Sequence, residues 1–424
     1  MVDKVKALAY VDMQHDALAV FDDVEQGTVT KEDVWVSVVS YLRQNVSLSQ
    51  YKLGSPSVHG KVRVESGDGG AHLESLNGVN VERVSKELNV ASRPVRFPRQ
   101  SVKPPYTKKS NVSLSINSID FAEKSGKMVI GGPDGYCVVL SPQKPEEVLE
   151  LKGHVGDVLN VKWFPSGEVV LTASSDLSLR IFSGVDGINP RTLKGHTRAV
   201  TSTHIIGVGK QVLSGSKDST VRLWNVGQGA EEKKWTVPDG KFVDGIVVVD
   251  DAEGVKTLGG AEGDSIALAA SPEGSLTAFS LASESGAEPA FVVQPDIYSN
   301  LISIDYSPKL QAIVTGHQNG TIAVRQLKTL RAAEGSIEDV SPTLVMRNES
   351  PIYSVVFDDR DDGILVGTGS GLPCRLSLQV DGSGITVDTK EEYGGWEAVG
   401  IETWAVAPDG VWCAGGEGGV ITRY

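Results

Sequence analysis

The stretch VLSGSKDSTVRLWN, residues 212–225, reads as two short strands around a Lys-Asp turn, the second ending on Trp224. Ser214, Asp218 and Trp224 sit close enough in sequence to belong to an active site or to a scaffold. The same pattern stands 42 residues earlier, in VLTASSDLSLRIFS at 170–183, and aligns without a gap. Thr172 matches Ser214, Asp176 matches Asp218 and Phe182 matches Trp224. A Gly-His pair precedes each copy, with His154 in LKGHVGDV and His196 in LKGHTRAV. His196, Ser214 and Asp218 have the residue types of a serine-nucleophile triad. A triad, however, has no reason to recur at a fixed period, whereas a structural staple does.

A period of about 40–45 residues, with GH near its start and a Trp strand near its end, resembles a WD-repeat blade. That resemblance implies four-stranded antiparallel sheets closed radially into a β-propeller, which leaves few strand edges exposed. It also assigns places. The His lies in the loop before the first strand, the Ser or Thr on the second, the Asp in the next turn and the Trp on the third. Indole, hydroxyl, imidazole and carboxylate can then form one hydrogen-bonded chain, satisfying buried polar groups that would otherwise cost about 1–3 kcal/mol each. Where Phe182 replaces the Trp, the donor is gone and the chain is shorter. Weaker units follow the same plan at 113–141, 241–281 (with an insertion near 251–264), 300–327, 351–378 and 397–424. The expected fold is all-β, a seven-bladed WD-repeat β-propeller over 111–424. Its last unit stops after a third strand, so a segment within 96–112 is the expected donor of the ring-closing strand.

Ahead of the ring, VKALAYV, DVWVSVVSYL and HGKVRVES read as strands, and Gly-Asp-Gly-Gly at 67–70 as a turn, of a small β-rich N-terminal domain over 1–90. Residues 91–110 read as a Pro/basic linker. Within it ASRPVRFPRQSVKPPYTKK (91–109) carries four prolines, six basic residues and no acid. An extended solvated linker is the first reading of that run; nuclear import or anion binding is the second.

Net charge is −14, unevenly spread: residues 1–100 hold 12 basic and 13 acidic groups, leaving 28 and 41 in the remainder. An acidic body repels phosphate backbones and disfavours nucleic acid, while a basic protein surface is the natural partner. The three cysteines, Cys137, Cys374 and Cys413, have neither disulfide nor metal spacing and suit a reducing compartment. The N-terminus does not read as a signal peptide and no run of about 18 apolar residues occurs, so no membrane contact is expected. A monomer, cytoplasmic and nuclear, is the expectation, and the sequons at Asn45, Asn111 and Asn348 are then chance matches. The histidines form no HExxH pair and GGPDG lacks the Lys-Ser/Thr of a P-loop, so neither metal nor cofactor is expected. DDRDDG at 358–363 misses the EF-hand spacing and reads as a solvated loop. Paired carboxylates of a glycosidase would be visible only in space.

The central 80 or so residues carry a closer likeness. FPSGEVVL, DGINPRTLKGH and VLSGSKDSTVRLW, with FVDGIVV and the terminal GGVITRY, resemble the proteasomal ATPase-associated factor family, WD-repeat chaperones of proteasome regulatory-particle assembly. The resemblance implies a non-enzymatic protein that binds the C-terminal domain of one proteasomal ATPase subunit until the base, with its other precursors, is assembled. A generic WD-repeat adaptor, such as the substrate-reading subunit of a ubiquitin ligase, is the alternative, and a propeller hydrolase comes third. In WD propellers the loops leading into first strands share a face with the turns between second and third strands. Those positions here hold Asp157, Asp244, Glu349, Glu397 and Glu417, opposed by Arg198 and Lys217, and are the expected docking rim for Lys and Arg side chains.

Overall fold

The computed structural model describes residues 5–39, 58–67, 70–76, 79, 81–84, 87–106, 114–294, 299–330, 342–358, 363–381, 384–397, 399–416 and 418–424. Seven of its sheets follow the repeats, at 118–150, 158–194, 200–236, 245–293, 301–346, 352–393 and 401–423, here sheets 1 to 7. Within each, neighbouring strands of the repeat pair antiparallel. The first strands touch in a closed cycle: Ser118–Ala122 lies against both Val158–Trp163 of sheet 2 and Ile401–Ala407 of sheet 7. The result is an all-β propeller.

Burial follows from that arrangement. A sheet packed between two neighbours hides both faces of its inner strands, so Thr220–Asn225 is buried along nearly its whole length. The outer strand Ala230–Thr236 is mostly exposed and correspondingly rich in Glu and Lys. Close packing also fixes glycine: a Cβ on Gly215 would stand 2.5 Å from Val243 and 2.7 Å from Ile246 of the next sheet.

Sheet 7 contributes only three strands of its own. Its fourth is Gln100–Val102, antiparallel to Ile421–Arg423, with Ser101 opposite Thr422. Val102 is 2% exposed and belongs to one core cluster with Ile130, Trp412 and Ile421. Segments more than 300 positions apart thus meet in one sheet.

The residues before this strand include strands that join the ring's sheets, and part of the expected solvated linker is itself strand. Val5–Ala7 adds a parallel fifth strand to sheet 5, against Leu344–Met346. Arg93–Arg96 is itself a strand, parallel to Glu392–Tyr393 of sheet 6, and brings two further strands, Val81–Val84 and Glu87–Val90, with it. Between these attachments Tyr10–Met13, Lys31–Val39, Val58–Gly67 and Gly70–Leu76 form a separate sheet. A nine-residue helix, Ala17–Glu25, covers its inner face with Ala17, Val20, Phe21 and Val24. Their i, i+3, i+4, i+7 spacing is helical, but the run is short and lies among strand-like sequence. These two parallel pairings join residues 339 and 297 positions apart, Val5 with Leu344 and Val95 with Glu392, and have no local signal at all. The sequons at Asn45 and Asn111, residues 359–362 of the acidic loop and Asp68–Gly69 of the expected turn lie outside the described residues.

If the pairing at Gln100–Val102 closes the ring, trimming its buried side chain should weaken the whole propeller. Val102→Ala should lower the unfolding free energy by about 1–3 kcal/mol, from lost apolar burial plus a residual cavity. Val292→Ala, at a 37% exposed position on the outer strand of sheet 4, should change it little. Urea unfolding of both variants checks the contrast.

Candidate functional site: the channel face

In sheet 3 the side chains of the repeat signature form one chain. Trp224 Nε1–H donates to Ser214 Oγ at 2.8 Å. Ser214 Oγ lies 2.7 Å from His196 Nε2, and His196 Nδ1 lies 2.8 Å from Asp218 Oδ2. Asp218 further accepts from the Thr197 and Thr220 N–H groups and from the Thr220 hydroxyl. Burial opposes ionisation of Asp218, but the hydrogen bonds from His196, Thr220 and Thr197 outweigh it and hold the carboxyl well below its usual range. Sheet 2 repeats the arrangement through His154, Thr172 and Asp176, at 2.7 and 2.8 Å, and ends there because Phe182 has no donor. Both imidazoles are fully enclosed. Burial pushes His154 down, partly countered by Asp176. Ser214 is fully buried, its hydroxyl engaged by both the indole and the imidazole, as a scaffold contact requires.

These staples hold the loops that build one face. In sheets 2, 3, 5, 6 and 7 the residue following the second strand donates its backbone N–H to a carbonyl of the loop leading into the first strand of the same sheet. Ser175 donates to Asp157, Lys217 to Ala199, Gln318 to Asn300, Gly369 to Pro351 and Gly416 to Gly400, all at 2.8–3.0 Å. Turns and approach loops therefore share one end of every such sheet. They surround the mouth of a channel of about 720 Å³ lined by first-strand residues. Asn117, Leu159, Thr201, Asp244, Ile302, Tyr353 and Glu402 stand on its wall at successive sheets.

The expected rim acids do not all meet. Asp244 is half-buried on the channel wall, where burial raises its carboxyl and Lys217 pulls it back. Asp157, Glu349 and Glu397 are exposed on approach loops and do not line the channel. Asp157 Oδ1 accepts the Asp134 N–H of the preceding sheet's turn at 3.0 Å. Glu397 lies 3.9 Å from His15 Nε2, so the N-terminal part borders the same face. Glu417 lies outside the described residues. Arg198 stacks on Phe242 at 5.3 Å instead of facing an acid. Sequence reasoning missed Glu402, which is half-buried on the channel wall and pushed up by burial. Its only sequence signal is its place directly after the first residue of a first strand, the place Thr201 takes in sheet 3. Among the described residues no group of three or more His, Cys, Asp or Glu is arranged to hold a metal ion, and no helix is long and apolar enough to cross a membrane. The three cysteines are free and buried.

The repeats match the family described as WD domain, G-beta repeat, over residues 145–183 and 187–225. The fold is an all-β WD-repeat propeller. Among curated proteins, the 26S proteasome regulatory subunit RPN14 of Saccharomyces cerevisiae is 49% identical over 83 residues, 20% of each chain. Nuclear distribution protein nudF 1 of Talaromyces marneffei is 31% identical over 118 residues, 27% of this chain and 26% of that one. Eukaryotic translation initiation factor 3 subunit I of Schizosaccharomyces pombe is 25% identical over 181 residues, 41% of this chain and 51% of that one. The chain thus spans between a fifth and about half of the length of these relatives. A solved structure of U3-55K superposes with a TM-score of 0.58 at 15% identity, covering 77% of this chain and 98% of that one, a likeness of fold.

Two outcomes follow from the geometry. Trp224→Phe removes the donor at the head of the sheet 3 chain and should cost about 1–3 kcal/mol in urea unfolding. The second concerns pH. Burial in the channel wall pushes the His204 imidazole down to about 4. Its unfolded value is near 6.5, so its contribution is complete above that and is lost as pH falls through the window between the two. On lowering pH from 7 to about 5, His204→Asn should lose about 2 kcal/mol less stability than the unaltered protein.

Proposed function

We propose that this protein is a non-enzymatic assembly chaperone that binds the C-terminal domain of a proteasomal ATPase subunit while the regulatory-particle base, with its other precursors, is being put together. The observation that carries this reading is the 49% identity over 83 residues with the proteasome regulatory subunit RPN14. The two best repeats, at 145–183 and 187–225, carry staples that are internal to the scaffold. Binding therefore falls to what the scaffold presents. The channel face offers carboxylates at Asp157, Asp244, Glu349 and Glu397 on a body of net charge −14, which suits Lys and Arg side chains. Glu417 belongs to the same set by its sequence position. Such contacts steer association and weaken as salt rises. The proposed setting is the cytoplasm and nucleus, with the chaperone acting as a monomer.

The test is charge reversal where the fold is insensitive. Glu349→Lys with Glu397→Lys alters two exposed side chains, and Asp244→Asn removes the half-buried charge without changing its shape. Each should weaken binding to the cognate ATPase C-terminal domain by about tenfold or more, with an unchanged urea midpoint. Glu146→Lys with Glu147→Lys, on the outer strand Lys144–Glu150 of sheet 1, should leave binding intact. Loss with the outer pair and none with the rim set would place the partner on the side of the ring. Recovery of ubiquitin-ligase subunits in place of ATPase precursors from cell extract would favour the adaptor reading.

A further inference from the structure

Part of the basic run is left over once ring closure is accounted for. Arg93–Arg96 and Gln100–Val102 are strands in two different sheets, so these residues are not available as an extended import signal. Arg96 and the adjoining Arg99 instead reach a cavity of about 380 Å³ where sheets 6 and 7 meet. Arg375 and Tyr393 of sheet 6 and Val411 and Tyr424 of sheet 7 also line it.

The hydrogen-bond inventory of this cavity does not close. Glu391 is buried and both its oxygens are engaged: Oε1 takes the Tyr393 hydroxyl at 2.7 Å and lies 3.1 Å from Arg375 Nη1, while Oε2 takes Arg96 Nε. Asp358, equally buried, takes Arg375 Nη2. Glu87 accepts from Arg96 Nη1 at 3.1 Å. Arg99 approaches Glu87 no closer than 3.8 Å, and its side chain is 54% exposed. A guanidinium carries five N–H donors, so Arg96 and Arg99 together offer more donors than these carboxylates take up. Charge here is balanced, three arginines against three carboxylates, so the surplus is one of directed donors. Planar N–H forks of this kind match the oxygens of a phosphate or carboxylate. Beside them stand the buried rings of Tyr393 and Tyr424, 4.7 Å apart, and the Val411 side chain. That flank suits a carbon group attached to the oxyanion.

We propose that this cavity is a binding site for a phosphate monoester, carried by a small organic phosphate or by a phosphorylated side chain of a protein partner. It does not depend on the ATPase reading above. Arg99 directly precedes the closing strand, and the other walls belong to the two sheets that flank the seam. A ligand here contacts only the closed ring and therefore stabilises it by mass action.

Full-length protein titrated by calorimetry at fixed ionic strength tests the site. Three probes are used: inorganic phosphate, phenyl phosphate, and a phosphotyrosine peptide with its unphosphorylated counterpart. Saturable binding is expected for phenyl phosphate or the phosphopeptide, weakened about tenfold in Arg99→Gln, with slower amide exchange at Gln100–Val102 on binding. Arg99 is exposed, so the variant should keep its urea midpoint. Tighter binding of the phosphopeptide than of phenyl phosphate assigns the site to a modified partner; equal binding assigns it to a small phosphate. No saturable binding of any probe up to about 10 mM, or equal affinity in Arg99→Gln, overturns the proposal.

Discussion

Everything in this molecule depends on a three-residue antiparallel pairing, Gln100–Val102 against Ile421–Arg423. A radial array of sheets is stable only when each is covered on both faces, and an open array would leave two uncovered sheets and a free outer edge. By drawing one sheet from both halves of the chain, the propeller makes closure a condition for burying the cluster around Val102, Ile130, Trp412 and Ile421. The N-terminal attachments at Val5–Ala7 and Arg93–Arg96 then follow the direction in which the chain must approach that strand.

The inner edge poses a second problem, since the first strands have no neighbour on the channel side. Side chains from the adjoining sheet supply partners. Asp120 accepts the Trp163 N–H at 2.6 Å and Asp305 the Phe357 N–H at 2.7 Å. Ser118 accepts from Val161, Thr403 from Ile119, and Ser354 donates to the Ile401 carbonyl. Polar residues inside the channel are thus largely committed to holding neighbouring sheets together. Among the described residues Asp244 and Glu402 form no ion pair, although Lys217 acts on Asp244 from a distance, and both stand on the channel wall.

A different kind of polar interior joins the N-terminal part to sheets 5 and 6. Adjacent residues Glu391 and Glu392 point to opposite sides of one strand: Glu391 to Arg96 and Arg375, Glu392 to Arg347 at 2.6 Å and to the Val11 N–H. All four of Glu391, Glu392, Arg347 and Arg375 are buried. Removing one member would strand a buried charge and cost several kcal/mol, whereas the intact pairs contribute less than their geometry suggests. The same network leaves the arginine donors of the seam cavity facing outward.

The sequence by itself determined the repeat and its staples. His154, Thr172 and Asp176, like His196, Ser214, Asp218 and Trp224, lie within 29 positions of one another, so local spacing and a recurring period suffice to place them. It also indicated that the last repeat needs a strand from elsewhere, because three strands can be counted. Tertiary structure alone decided which strand, where the N-terminal residues attach, and which acids share the channel wall. Arg96 and Glu391 are 295 positions apart, and Lys6 and Asp388 are 382 apart. No period or motif links such residues. They meet only because closing the ring fixes the path of the chain before it, and a contact made by closure has no signature in either partner's own sequence.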